Sequence, residues 1–215
     1  MNSVISLIKQ NILTIIGLKR NLLIIVMFSF LYPLLFPDLL LFTSVIIPYT
    51  LLINLFSMEE KNKSQYLIST LPIKKESYVV AKYLLAGAII IVNVLVSLFM
   101  NYILSMGIGM NNPKGYEPIF ILIVGIMFPV VLVSIGVPIL IKIGAVKGQI
   151  IMLVSVGAIC GVVGGVLGAS GVLSSNVILN LDKITLIILV LGICLILILT
   201  SYFISLNIYN KKEVL

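Results

Sequence analysis

Histidine and tryptophan are absent from this sequence, cysteine occurs twice, and charged residues make up only 10% of its 215 residues. We expect no metal site, because there is no histidine and neither the cysteines nor the carboxylates cluster. Cys160 and Cys194 each lie inside an apolar run, where nothing polar would favour a thiolate. Both are therefore predicted to be inert packing residues.

Residue patterns for three kinds of chemistry are also missing. The sequence has no G-x-x-x-x-G-K-[ST] segment, and GAVKG at residues 144–148 does not replace it, so we do not expect this chain to hydrolyse ATP. The apolar runs contain no Ser/His set and no paired aspartates, which disfavours an intramembrane enzyme. None of these runs carries Asp, Glu, Lys or Arg near its middle, which disfavours a transporter built on a proton or ion relay.

Apolar residues dominate the chain. Hydrophobic residues make up 61% of the sequence, and the mean hydropathy is +1.28, which is typical of membrane proteins. We predict an all-α polytopic membrane protein with a single transmembrane domain over residues 1–215. Its six apolar runs are mostly close to the roughly 20 residues that cross a bilayer. They cover residues 21–36, 39–56, 83–106, 119–141, 149–168 and 184–206.

Residues 2–18 have a different pattern. Ile5, Ile8 and Ile12 recur at helical spacing, whereas Lys9 and Gln10 fall on the other face. This predicts an amphipathic helix that lies in the membrane interface. The alternative is that these residues form the first part of the first span.

Basic residues predict the topology. The net charge is +7, but the Lys and Arg residues lie at the ends of apolar runs, so they are not a nucleic-acid signal. With six spans, 12 of the 14 basic residues fall on one face, and only Lys114 and Lys183 fall on the other. The positive-inside rule then places both termini and residues 57–82 in the cytoplasm.

The polar stretch at residues 57–82 is the longest cytoplasmic loop of this topology. Within it, Tyr66, Leu67 and Leu71 form an apolar patch at helical spacing, and Pro72 is expected to end that helix. A new helix is expected to begin near Lys75 and to continue into the third span. The alternative is a solvated connector with a basic anchor, although an apolar patch on such a connector would need a partner to cover it.

The segments EEKNK (59–63), YLISTLPIKKE (66–76) and VVAKY (79–83) resemble a signature of short type-2 ABC transporter permeases. In that family a segment of the form E-x-K-N…L-L-x-S-L-P-[VI]-x-[RK] follows the second span. The resemblance implies that residues 64–71 form a coupling helix in a groove of the ATP-binding subunit. The implied contact residues are Glu59, Glu60, Ser64, Tyr66, Leu67, Leu71, Pro72, Lys74 and Lys75. Tyr66 departs from the pattern, because many relatives have a smaller or aliphatic residue there.

The resemblance also implies the rest of the assembly. ATP and Mg would be bound by a separate ATPase subunit, and this chain would hold no cofactor of its own. A second permease subunit, identical or different, would complete the transporter in a bacterial cell membrane. Some permeases of this kind export amphipathic peptides, including phenol-soluble modulins. Because the predicted spans carry only mildly polar residues, we expect an amphipathic peptide as the cargo. The alternative function is a membrane anchor or assembly factor that docks a soluble partner through residues 57–82 without transporting anything.

Small residues follow a regular pattern in the fifth span. Glycines recur every four residues along one face, with a neighbouring row beside them, and this spacing lets helix backbones approach closely. The residues concerned are Gly157, Gly161, Gly164, Gly165 and Gly168. They predict either an interface with another subunit or close packing within this chain, and the pattern does not favour one over the other.

Overall fold

The computed structural model describes residues 2–17, 19–35, 40–62, 75–106, 118–170 and 183–211, and every element in this part of the chain is an α-helix. This confirms the prediction of an all-helical protein. The helices are α1 (Asn2–Gly17), α2 (Lys19–Leu35), α3 (Leu40–Lys61), α4 (Lys75–Ser105), α5 (Pro118–Ile143), α6 (Ala145–Ser170) and α7 (Lys183–Lys211).

Three helices among the described residues are long and apolar enough to cross a membrane. They lie in α4, α5 and α7, at Glu76–Ser105, Ile121–Ile143 and Ile187–Lys211. These segments overlap three of the predicted spans, those at 83–106, 119–141 and 184–206. Helix α6 adds a shorter apolar segment, Ala145–Ala158. The total of six spans and the cytoplasmic placement of both termini stay predictions.

Helices α3, α4 and α5 pack against one another at the centre of the described bundle. Their largest shared cluster of buried side chains contains Leu52, Leu55, Phe56, Val79, Leu85, Val137 and Leu140. In lipid, the contact between such helices comes mainly from van der Waals packing, because hydrocarbon is as apolar as leucine. Close fit, rather than hydrophobicity, therefore has to hold this centre together.

Helix α7 packs on α5 and α4 and exposes its opposite side. Ile188, Leu195, Leu199 and Phe203 lie on that side at near-helical spacing, and each is more than half exposed. A continuous apolar surface of this kind suits contact with lipid or with another membrane helix.

Two prolines inside α5 leave backbone carbonyls without their usual partners. A proline has no N–H, so the carbonyl four residues before it loses its helical hydrogen bond. Pro129 frees the carbonyl of Gly125, and Asn93 of α4 donates to this oxygen from Nδ2 at 3.3 Å. Membrane helices tolerate proline when a neighbouring helix satisfies the freed group in this way.

The second freed carbonyl is satisfied from α7. Pro138 frees the carbonyl of Ser134, which accepts a hydrogen bond from Ser201 Oγ at 2.7 Å. Because the Ser201 proton is used in this bond, the hydroxyl of Tyr83 has to donate to Ser201, at 2.5 Å. Ser205 Oγ lies 2.9 Å from the same Tyr83 oxygen and donates in turn. Each hydroxyl donates to the next group, from Ser205 to Tyr83, to Ser201 and to the carbonyl of Ser134. This chain of hydrogen bonds ties α4, α5 and α7 together.

Helix α1 lies against α4 and α3. Leu7 and Asn11 are buried against the bundle, whereas Ile5 and Ile12 are exposed. Exposed isoleucines on one side suit a helix that presents an apolar face to lipid. The helix itself is as predicted, and its place in the membrane interface stays a prediction.

Candidate functional site

A buried ion pair joins the end of α3 to the beginning of α4. Lys82 forms a salt bridge with Glu59, and their exposed fractions are only 1% and 4%. Both side chains would be costly to bury alone, because a charge removed from water needs a compensating partner. The two residues lie on opposite sides of residues 63–74, so the pair holds together the helices that flank this segment.

The remaining hydrogen-bonding partners of this pair come from α1 and α4. Asn11 Oδ1 accepts a hydrogen bond from Lys82 Nζ at 3.3 Å, and the Tyr78 hydroxyl donates to Glu59 Oε2 at 2.9 Å. Tyr78 and Lys82 are four residues apart on α4 and therefore share a face. We call Asn11, Glu59, Tyr78 and Lys82 the charged cluster.

Aromatic rings enclose the charged cluster. Lys82 Nζ lies 4.8 Å from the centre of the Phe56 ring and 5.3 Å from that of Tyr78, so both rings are placed for cation–π contact. Tyr209 of α7 stacks on Tyr78, with ring centres 4.7 Å apart. Helices α1, α3, α4 and α7 all contribute side chains here, so a displacement of one of them strains contacts with the others.

The charged cluster lies near one end of the bundle. Helix α4 has 31 residues, which at 1.5 Å per residue makes it about 46 Å long. The hydrocarbon core of a bilayer is only about 30 Å thick. The first turns of α4 can therefore lie outside the hydrocarbon, and Lys82 is in its second turn. A charged pair is tolerated best at this depth.

Glu60, the next residue on α3, points to a different part of the bundle. Its Oε2 accepts a hydrogen bond of 2.6 Å from the backbone N–H of Ala145, the first residue of α6. Both acids predicted to flank the coupling helix thus have partners inside this chain. Neither was expected to have such partners from the sequence.

The other predicted contact residues lie mostly outside the described residues. These are Ser64, Tyr66, Leu67, Leu71, Pro72 and Lys74. Lys75 is the first residue of α4, which agrees with the prediction that a helix begins near this residue. The coupling helix at residues 64–71 therefore stays a prediction.

The predicted glycine interface is described only in part. Gly157 is exposed, and a Cβ atom added to it would meet no atom within 4 Å. At this position α6 does not pack closely against the described part of the chain. Gly161, Gly164, Gly165 and Gly168 continue the same helix, but their surroundings are outside what the structure describes.

An apolar groove runs between α4, α5 and α7. Its lining side chains, which include Ile91, Leu95, Ile126 and Ile198, offer no polar surface. The groove can therefore contact only hydrocarbon, whether from lipid or from an apolar face of another molecule.

Lys82 and Asn11 are the residues that the sequence pattern did not single out. Lys82 was placed at the end of the polar loop, in the helix that was expected to begin near Lys75, and it does lie in α4; its full burial was not predicted. One signal of its burial was present in the sequence, because the residues just before Lys82, 78–81, are largely apolar. The partner Asn11, 71 residues away, had no signal, because nothing in the sequence shows which face of α1 meets α4.

An all-helical bundle in which three of the described helices are long and apolar enough to cross a membrane is the architecture of an integral membrane protein. The chain matches the family model described as ABC-2 family transporter protein over residues 6–210, and it belongs to this family. It is therefore a permease subunit of an ABC transporter, an integral membrane component and not itself the ATPase. The family implies an ABC ATPase as partner. Neither a curated protein nor a solved structure matches the chain.

Proposed function

We propose that this permease subunit couples ATP hydrolysis by a separate ATPase subunit to the export of a hydrophobic or amphipathic substrate. The ATPase would dock on residues 63–74 through the apolar patch of Tyr66, Leu67 and Leu71. ATP and Mg would be bound by that subunit. A second permease subunit would complete the transporter in a bacterial cell membrane, with the glycine face of α6 as one surface between the subunits.

The observation that supports this proposal most is the salt bridge between Glu59 and Lys82. It joins the two helices that flank residues 63–74, and the charged cluster adds α1 through Asn11 and α7 through the Tyr78–Tyr209 stack. A force applied to residues 63–74 therefore reaches four helices through short, directional contacts. A simple anchor has no need for this linkage, whereas a coupled transporter does.

The proposed mechanism is alternating access. ATP binding brings the two ATPase subunits together, and residues 63–74 move with them. The charged cluster keeps the ends of α3 and α4 together during this movement, so both helices rotate as one unit. The transport path opens and closes at the interface between the two permease subunits.

An amphipathic peptide is the proposed cargo. The groove between α4, α5 and α7 has a wholly apolar lining. Apart from the charged cluster, the buried polar side chains of the described helices are neutral hydroxyls and amides, such as Thr43, Ser97 and Asn101. A pathway of this composition suits a substrate that keeps an apolar face toward the protein.

The experiment is a pull-down of the tagged chain in mild detergent, followed by reconstitution into lipid nanodiscs with the ATPase that co-purifies. We expect that Leu67→Asp abolishes ATPase binding or its stimulation, because a charge on the apolar patch would have to be buried in the groove of the partner. Export is measured with a dye-labelled amphipathic helical peptide in inverted vesicles.

Gln65→Asp is the matched control. It adds the same charge to the same segment, but at 100° per residue position 65 of the predicted helix lies about 100° or more away from Tyr66, Leu67 and Leu71. We expect it to keep ATPase binding. A clean preparation of the wild-type chain without any ATPase would contradict the proposal and favour the anchor function.

A further inference from the structure

The junction of α5 and α6 is a tight corner one residue long. Gly144 adopts a φ of +88°, a conformation that side chains other than glycine rarely take. Its N–H donates to the Leu140 carbonyl and its own carbonyl accepts from the Gly148 N–H, both at 3.0 Å. A Cβ added to Gly148 would lie 2.9 Å from the Leu140 side chain. The corner is therefore closely packed and held on both sides, so the end of α5 and the beginning of α6 move together.

The carboxylate of Glu60 lies directly on this corner. It accepts the Ala145 N–H at 2.6 Å, and both of its oxygens lie 3.3 Å from the position that a Cβ on Gly144 would occupy. Any residue larger than glycine at position 144 would displace the carboxylate. Helix α6 has no acidic residue in its own first turn. Glu60 thus supplies, from α3, the negative charge that a helix N-terminus favours.

Glu59 and Glu60 divide the contacts of the α3 end between two groups of helices. Successive residues of a helix point about 100° apart. Glu59 reaches Lys82 of α4 and, through it, Asn11 of α1. Glu60 reaches the corner of α5 and α6. The last turn of α3 is therefore in contact with both groups, and only residues 61–62 separate Glu60 from residues 63–74.

We propose that Glu60 is a positioning residue through which the end of α3 displaces the α5–α6 corner when the ATPase subunits close. This inference rests on the coupling role proposed above for residues 63–74, and it adds a second route from that segment into the membrane helices. The first route, through Glu59, moves α4 and α1. The route through Glu60 carries the same displacement to α5 and α6.

The test uses hydrogen–deuterium exchange on the full complex of the tagged chain with its co-purified ATPase in nanodiscs. Exchange is compared without nucleotide and after trapping with ATP and vanadate. In the wild type we expect trapping to change exchange both in residues 63–74 and in the peptide over residues 144–150. In Glu60→Ala we expect the first change to persist and the second to be lost. Without nucleotide, the Ala145 amide of Glu60→Ala should exchange at least about tenfold faster, because its hydrogen bond to a charged group is gone.

Two further variants separate positioning from a structural role. Glu60→Gln keeps an oxygen that can accept the Ala145 N–H, so it should retain most of the nucleotide-dependent change at 144–150. Glu76→Ala removes an exposed acid from the other helix that flanks residues 63–74, and it should behave as the wild type in both peptides.

Each outcome decides between the two proposals. If Glu60→Ala transmits the nucleotide-dependent change to residues 144–150 as the wild type does, the Glu60 inference is wrong while the coupling role of 63–74 stands. If trapping changes neither peptide in the wild type, the proposed coupling role fails, and the Glu60 route fails with it. Loss of the change in Glu60→Ala, retention in Glu60→Gln and a normal Glu76→Ala together support the inference.

Discussion

The charged cluster and the hydrogen bonds beside the two prolines of α5 are built differently. The charged cluster at the beginning of α4 contains a full ion pair, and each charged group has more than one partner. Farther along the helices, Asn93 and Ser201 are neutral and each serves one carbonyl freed by a proline of α5. The ion pair holds the end of α3 against the beginning of α4, whereas each neutral bond satisfies a carbonyl within α5.

The charged and the neutral interactions differ in what the loss of one partner costs. A neutral hydrogen bond between membrane helices contributes only about 0.6 kcal/mol on average. An ion pair behaves differently, because removing one partner leaves a buried charge that nothing compensates. The protein keeps that vulnerable arrangement near the beginning of α4, where a helix of 31 residues can extend beyond the hydrocarbon.

The largest effect is expected from Lys82→Met. This change leaves the Glu59 carboxylate buried without its cation and should lower the free energy of unfolding by about 3–5 kcal/mol. The double variant Glu59→Gln/Lys82→Met should recover most of this loss, since it contains no unpaired charge. Stability is measured by the temperature at which the protein in detergent loses its monodisperse size-exclusion peak.

Lys142→Met is the control for this prediction, because Lys142 is an exposed lysine at the end of α5. The stability of the Lys142→Met variant should match that of the wild type. Equal stability of the single variant Lys82→Met and the double variant would show that the charge of Glu59 is not buried in the working protein.

An intermediate effect is expected from Ser201→Ala. The change leaves the carbonyl of Ser134, already deprived of its helical partner by Pro138, without a donor. A buried acceptor left unsatisfied costs about 1–3 kcal/mol. The same substitution should cost much less in a Pro138→Ala background, because alanine supplies the N–H that this carbonyl lacks in the wild type. A double-mutant cycle measured by thermal unfolding gives this coupling, and additive effects of the two changes would contradict the assignment.

The smallest effect is expected from Asn93→Leu. The bond from Asn93 to the Gly125 carbonyl is long, at 3.3 Å, and within the described part of the chain its buried Oδ1 has no hydrogen-bond partner. Leucine removes this unpaired acceptor along with the bond, so the two effects oppose each other. The net loss should be about 0.6 kcal/mol or less. A loss as large as that of Ser201→Ala would mean that Oδ1 has a partner in the membrane.

Much of the helical layout could be predicted from the sequence, because long apolar runs have few alternatives in a bilayer. The start of α4 at Lys75 followed from Pro72 and the polar residues after it. The motif around Glu59 and Lys82 indicated the transporter family, which the match over residues 6–210 confirms. The same motif predicted outward contacts for Glu59 and Glu60. The structure gives both acids partners inside the chain, and whether they also contact an ATPase stays a prediction.

By itself the sequence determined that this chain is a helical membrane protein, and the motif at 59–83 indicated its family. Both properties depend on composition and on short spacings along the chain. Tertiary structure alone decided that Lys82 meets Asn11, that Glu60 reaches Ala145, and that Asn93 and Ser201 lie opposite the two prolines of α5. These contacts join residues far apart in sequence, and they depend on how each helix is rotated against its neighbours. In lipid that rotation is set by close packing and hydrogen bonding, which an apolar pattern does not encode.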